Sequence, residues 1–187
     1  MDVIEAIKSR RSVRRYKSDP VKEEDLQVIL EAARRAPSWN NSQCWRFVVV
    51  RDPEVRAKLA DALSSAFAKN PAIDAVRNAP VVIVACAVLG KSGYLKGESS
   101  NIVATDKGDW FMFDVALAMQ NLVLAACSLG LGTVHVGLFD AKEAAKVMGL
   151  PEGVVCVEMT PLGYPDEEPK VIPRKELSDL VSYDRYG

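Results

Sequence analysis

Six basic residues and no acidic one fall between Lys8 and Lys17, in the run SRRSVRRYK (Ser9 to Lys17). The chain as a whole is nearly balanced, with 24 Lys and Arg against 25 Asp and Glu. The cluster is therefore a local device and not part of a general surplus. Two guanidinium groups, a hydroxyl and the backbone N–H groups of a turn are donors suited to a phosphate dianion. Spacing alone leaves four readings open: a solvated charge run, a basic arm for nucleic acid, arginines paired with the acids that follow, or a compact phosphate cradle. Ser12 and Val13 interrupt the run, and the chain enters it directly from a helix.

Other chemistries are poorly served. His135 is the single histidine, so one chain offers no multi-histidine metal site, and no metal is expected. Cys44, Cys86, Cys127 and Cys156 have no C-x-x-C spacing, and three lie in apolar runs, which is the usage of reduced thiols in a cytosolic protein. No basic, apolar export signal opens the sequence, and a cytoplasmic location is expected. A near-zero net charge argues against general binding to nucleic acid or to an acidic membrane. GLGTVHVG (Gly130 to Gly137) places its third glycine too late for a dinucleotide turn. ACAVLGKS (Ala85 to Ser92) ends like a phosphate-binding loop, but the residues after it start no helix. Neither H-E-x-x-H nor G-x-S-x-G occurs.

The elements that must position these residues follow from periodicity. Val3, Ile4 and Ile7 predict a short helix that delivers the chain into the basic stretch. After Asp19-Pro20, the acids Glu23, Glu24 and Asp25 open a second helix with Leu26, Ile29, Leu30 and Ala33 as its apolar stripe. APSWNNSQCW (Ala36 to Trp45) is turn chemistry. Phe47 to Val50 is a buried strand, and Asp52-Pro53 starts a helix expected to bury Val55, Leu59, Leu63 and Phe67. Ala79 to Val88 is a core strand. Residues 90–108 read as a lid loop, because a long polar connection with four glycines has no period of its own. The segment from Asp109 to Leu129 predicts a helix that is apolar nearly all round and so buried on every face. It is not read as a membrane span, because polar residues interrupt it. Thr133 to Leu138 and Val154 to Met159 are two more strands, with a short helix capped by Asp140 between them. A proline-rich linker leads to a tail, residues 174–187. One α+β domain over residues 1–187 is expected, a small mainly antiparallel sheet wrapped by helices.

Four stretches, in order, resemble the FMN-dependent nitroreductase family. RRSVRRY resembles its N-terminal flavin motif at Arg10, Ser12 and Arg14. APSWNNSQCWRF resembles a second motif at Pro37, Ser38, Asn41, Gln43, Trp45 and Phe47, although Cys44 stands where the family usually has proline. DVALAMQNLVLAACSLGLGTVHVGLF resembles its long dimer helix and following strand, and IPRKEL its C-terminal basic motif at Arg174 and Lys175. The resemblance implies a homodimer whose sites are built from both chains, and ping-pong transfer of hydride from NADH or NADPH through FMN to a nitro, quinone or other small oxidised acceptor. It implies that Arg10, Ser12 and Arg174 hold the phosphate, that Arg11 and Arg14 border the ribityl chain and pyrimidine edge, that Pro37 to Asn41 pass along the ring, and that backbone N–H groups near Val136 and Gly137 point at N5. No catalytic side chain is implied, since the flavin carries the chemistry. Reductive dehalogenation, flavin modification and non-catalytic flavin binding are the alternatives. On the residues alone, Trp45 and Phe47 read as core, Cys44 as an inert thiol, and Asp114 with Asn121 as interface residues.

Overall fold

Asp2 opens the first helix with a capping box: its carboxylate accepts the Glu5 N–H at 2.9 Å, and Glu5 accepts the Asp2 N–H at 3.0 Å. Helix α1 (Val3–Ser9) thus ends where the basic stretch begins. The computed structural model describes residues 1–95 and 102–186. Helix α2 (Glu23–Arg34) carries three acids in its first turn and buries Leu26, Ile29 and Ala33. A single 3₁₀ turn, Trp39–Asn41, leads into β1 (Trp45–Val50). The Asp52 carboxylate accepts the N–H groups of Glu54 and Val55 and starts α3 (Pro53–Ala66). Then come α4 (Ile73–Asn78), β2 (Val81–Val88), α5 (Phe111–Ser128), β3 (Gly132–Thr133), α6 (Ala141–Met148) and β4 (Val154–Gly163).

The four strands form one sheet in the order β1-β2-β4-β3, with every pairing antiparallel. Strand β2 explains the layering. Val81, Ile83, Ala85 and Ala87 face a core shared with α2 and α5, whereas Val82, Val84 and Cys86 face a second core shared with α3, α4 and α6. A strand covered on both faces loses the apolar–polar alternation and reads as one apolar run, as β2 does.

Several expectations need correction. The strand expected over Thr133 to Leu138 is regular only at Gly132–Thr133, with one further bridge between Val136 and Met159. Phe67 lies past the end of α3 and is exposed; Ala60 and Ala62 supply the burial instead. Helix α4 was not foreseen, because six residues are too few to show a period. Helix α5 is not covered on every face of the single chain: Met112 and Phe113 are more than half exposed. Its length and composition would suit a membrane span, but its buried residues pack against α2 and the sheet. Of the expected lid, residues 96–101 lie outside the described residues; on either side of them Tyr94 bridges to Val103. The tail holds one 3₁₀ turn, Leu177–Asp179, and leaves Leu177, Leu180 and Tyr183 exposed.

Candidate flavin site

The basic arm after α1 is pinned from both sides. On one side Ser12 bridges in parallel to Thr133, and the Val13 N–H donates to Thr133 O at 2.9 Å. On the other, the Lys17 N–H donates to Tyr164 O and the Asp166 N–H to Arg15 O, both at 2.9 Å. Two glycines permit this approach. They face each other across β3 and β4, and a Cβ on Gly132 would meet the Val13 side chain at 2.8 Å, while one on Gly163 would meet Pro80 at 2.7 Å and Tyr16 at 3.2 Å. The Tyr16 hydroxyl donates to Val13 O at 2.5 Å. Burial, then the nearby Glu167 charge, push that phenol upward, so it stays a neutral donor.

A cleft of about 870 Å³ opens along this arm, with Arg10, Ser12 and Arg14 on one wall and the strap leading to Arg174 on the other. Seven lining residues are Lys or Arg and two are Glu, so the cleft selects an anion. One anion is already seated there. The Glu167 carboxylate accepts the backbone N–H groups of Arg14 and of Arg15 (3.1 Å) and lies 3.4 Å from Arg15 Nε. The turn therefore presents N–H donors to negative charge, as a phosphate cradle must. Arg11 lines the same cleft but directs its guanidinium back to Lys8 O (2.6 Å) and Arg10 O (2.9 Å), which satisfies carbonyls at the end of α1. Glu167, read from the sequence only as part of a proline-rich linker, is thus the side chain that ties the strap to the basic arm.

Pro37, Ser38, Asn41 and Gln43 do not line this cleft, nor do Val136, Gly137 and Lys175. The first four belong to a loop locked by Asp114. That carboxylate is fully buried and accepts the Trp39 N–H (3.0 and 3.2 Å), the Ser42 hydroxyl (2.8 Å) and the Cys44 thiol (3.7 Å). Ser38 Oγ accepts the Gln43 N–H at 3.0 Å, and Gln43 Nε2 donates to Asn41 Oδ1 at 3.2 Å. Asn40, Asn41 and Gln43 all have positive φ (46°, 55° and 45°), a conformation that asparagine tolerates and glutamine resists. Trp39 stacks near Trp110 at 5.5 Å and donates its indole N–H to Tyr94 O at 3.0 Å. Asp114 thus organises the loop from within the chain, and does not pair with Asn121, which donates to Ala32 O at 3.2 Å. Its signal in the sequence was its being the sole charge in α5.

Trp45 and Phe47 pack in or against the core of α2 and α5, as expected. Burial, then the Asp114 charge, push the Cys44 thiol up to about 11, which makes it an inert thiol. Val136 is buried and Gly137 exposed, and a Cβ on Gly137 would meet nothing within 4 Å. The donor set of the cleft, guanidinium groups, a hydroxyl and anion-seating N–H groups, fits the phosphate of FMN.

Comparison with known proteins agrees. An NADH dehydrogenase of Thermus thermophilus is 34% identical over 189 residues, covering 90% of this chain and 89% of that protein. A crystal structure of a nitroreductase family protein of Clostridium difficile superposes with a TM-score of 0.82 at 26% identity, over 100% of both chains. The NADPH:FMN oxidoreductase of Vibrio harveyi, solved in complex with NAD+, matches with a TM-score of 0.76 at 29% identity, over 99% of this chain and 78% of that one. The family model for the Nitroreductase family matches residues 7–164, a span that takes in the basic arm, the Asp114-locked loop, α5 and the whole sheet. The chain belongs to the Nitroreductase family.

Proposed function

We propose that this protein binds FMN and passes reducing equivalents from NADH or NADPH to a small oxidised acceptor, a nitro compound or quinone being the chemical class. The observation that carries the reading is the convergence of Arg10, Ser12 and Arg174 on a cleft whose backbone N–H groups already seat a carboxylate. The likeness to an NADPH:FMN oxidoreductase supports it. Bound FMN supplies the hydride-carrying ring, and the chain's own residues bind, orient and tune it. Arg10, Ser12 and Arg174, with Lys175 beside them, hold the phosphate. Arg11 fixes the end of α1 and the wall of the ribityl channel. Arg14 offers a cation where negative charge accumulates on the reduced ring. Val136 and Gly137 present backbone to N5.

Pro37, Ser38, Asn41 and Gln43 reach a flavin from the partner of a homodimer in this reading. The exposed Met112 and Phe113 on α5 and the apolar tail side chains supply the surface for that partner. The protein works in the cytoplasm, where its four free thiols stay reduced. The test is a visible absorption spectrum of the purified protein before and after anaerobic addition of NADH, then NADPH. A yellow protein that bleaches is expected, and the donor that bleaches it faster is the physiological one. A colourless protein that takes up no added FMN would overturn the reading, and a yellow one that ignores both donors would leave a flavin-binding protein without this activity.

A further inference from the structure

Strand β4 reads VVCVEMTPLG, and Glu158 is its only charged residue. Its side chain is 16% exposed and its carboxylate pairs with Nδ1 of His135. The sheet is deformed to make this pair. Between β2 and β4 the register slips at Ala85/Cys86: Cys86 opposes Cys156, but Ala85 opposes Glu158, so β4 carries one extra residue. Without that bulge Glu158 would oppose Val84 and carry its charge into the second core. With it, Glu158 shares the face of Ala85, on the α5 side of the sheet. Bulges re-aim side chains in this way, and they concentrate near active sites.

His135 arrives on the same face from the neighbouring segment. Val134 and Val136 on either side of it point into the second core, so the imidazole points the other way. Val136 and Met159 exchange both backbone hydrogen bonds at 3.0 Å, which sets Gly137 opposite Glu158 and His135 on its diagonal. Gly137 has no side chain to fill the gap, and the imidazole reaches the carboxylate beside it. Neither residue lines the basic cleft itself, but the chain links His135 to the arm. Thr133 bridges to Ser12, and His135 stands two residues farther along, about 7 Å at the rise of an extended chain.

We propose that His135, held by Glu158, lies against the bound flavin and takes up a proton at Nε2 as the flavin is reduced. This rests on the reading that Arg10 and Ser12 hold the phosphate and that Val136 and Gly137 flank the ring. A carboxylate can only accept, so Nδ1 keeps its hydrogen for Glu158, and Nε2 is the atom that gains one. The balance is simple. Two electrons and one proton arrive as hydride from the nicotinamide. The accompanying negative charge is compensated by one proton from solvent, which resides on the imidazole. The charged group that contacts His135 is Glu158 of β4; the sole charge of α5, Asp114, is enclosed in its loop, and the Arg14 backbone is held by Glu167.

The experiment is a redox titration of the holoprotein against indicator dyes at several pH values around pH 8, for wild type, His135→Asn and Glu158→Gln. Flavin content is read from absorbance in each. Wild type is expected to take up two protons per two electrons and His135→Asn one. At pH 7 the reduced form in His135→Asn should be about tenfold less favoured relative to the oxidised form, 29.6 mV for a two-electron couple. Glu158→Gln keeps an acceptor for Nδ1 but removes the anion that holds the imidazole, and it too should fall below two protons. Equal proton uptake in wild type and His135→Asn, both fully loaded with flavin, overturns the proposal and leaves the flavin reading intact. A wild-type protein that binds no FMN overturns that reading first.

Discussion

Replacing Asp114 by alanine removes the one acceptor that three donors share. The Trp39 N–H and the Ser42 hydroxyl make hydrogen bonds of 2.8 to 3.2 Å to it, and the Cys44 thiol a longer one of 3.7 Å. A hydrogen bond to a charged group contributes about 1.5–3 kcal/mol, and the Trp39 and Ser42 bonds are the two that count. Relief of a buried charge offsets part of the loss, so the net cost of Asp114→Ala is about 3 kcal/mol. For a chain of this length each kcal/mol shifts Tm by about 2–4 °C, which gives a drop of roughly 6–12 °C. Asp114→Asn keeps one acceptor oxygen and should lose about half as much. The loop that Asp114 holds contains three residues at positive φ, so it should also become the first site of protease cleavage. Thermal unfolding followed by circular dichroism, with limited proteolysis alongside, is the assay. An Asp114→Ala protein that melts within about 1 °C of wild type, with an uncleaved loop, would refute the assignment of Asp114 as the loop's anchor.

Four further outcomes are expected. Arg10→Ala combined with Arg174→Ala should give folded, colourless protein, because the phosphate loses charge-assisted donors; full FMN retention by absorbance would remove both from the site. Arg14→Ala should keep flavin but lower its midpoint potential in a dye titration, and an unchanged potential would take Arg14 away from the ring. Phe113→Glu places a charge on the exposed face of α5 and should convert a dimer to a monomer in sedimentation; an intact dimer would move the interface elsewhere. At pH 8 a thiol at about 11 in place of 9.0 has about a hundredfold less thiolate, so Cys44 should alkylate slowly, faster as pH rises. Asp114→Asn should speed it by removing a nearby negative charge, and mass spectrometry of iodoacetamide-treated protein reads both effects.

The helices with clear stripes and caps were legible from the sequence. Asp2, Asp52 and Asp140 each stand one residue before a helix and each carboxylate accepts N–H groups of its first turn. Strand β2 was legible because burial on both faces leaves no polar residue in it. The segment after β3 was misread because Val134, His135 and Val136 alternate as a strand does, while too few of its backbone groups pair to make one. The residues that line the basic cleft were visible, Arg10, Ser12 and Arg14 because charge and hydroxyl have direct chemical meaning, and Arg174 through the family resemblance. Asp114 and Glu167 were not, because their roles depend on donors 72 to 75 and 152 to 153 residues away. Periodicity and motif spacing carry no information over that range. The bulge that aims Glu158 was likewise invisible, being a property of two strands in register.

The pinning of the basic arm has a consequence for how the chain is made. Residues 12–17 leave the ribosome early, but their partners are Thr133, Tyr164, Asp166 and Glu167. Until those are synthesised the arm has nothing to dock against, and its loop-closure cost is paid across nearly the whole length of the polypeptide. The arm is thus made early and docked late, first on Thr133 and then on Tyr164 and Asp166. A nascent chain stalled before Gly163 would lack Tyr164, Asp166 and Glu167, so the Arg14 to Lys17 half of the arm would have no partner there. The basic cleft is completed only when the segment after β4 meets the arm, so its walls come from residues more than 150 positions apart.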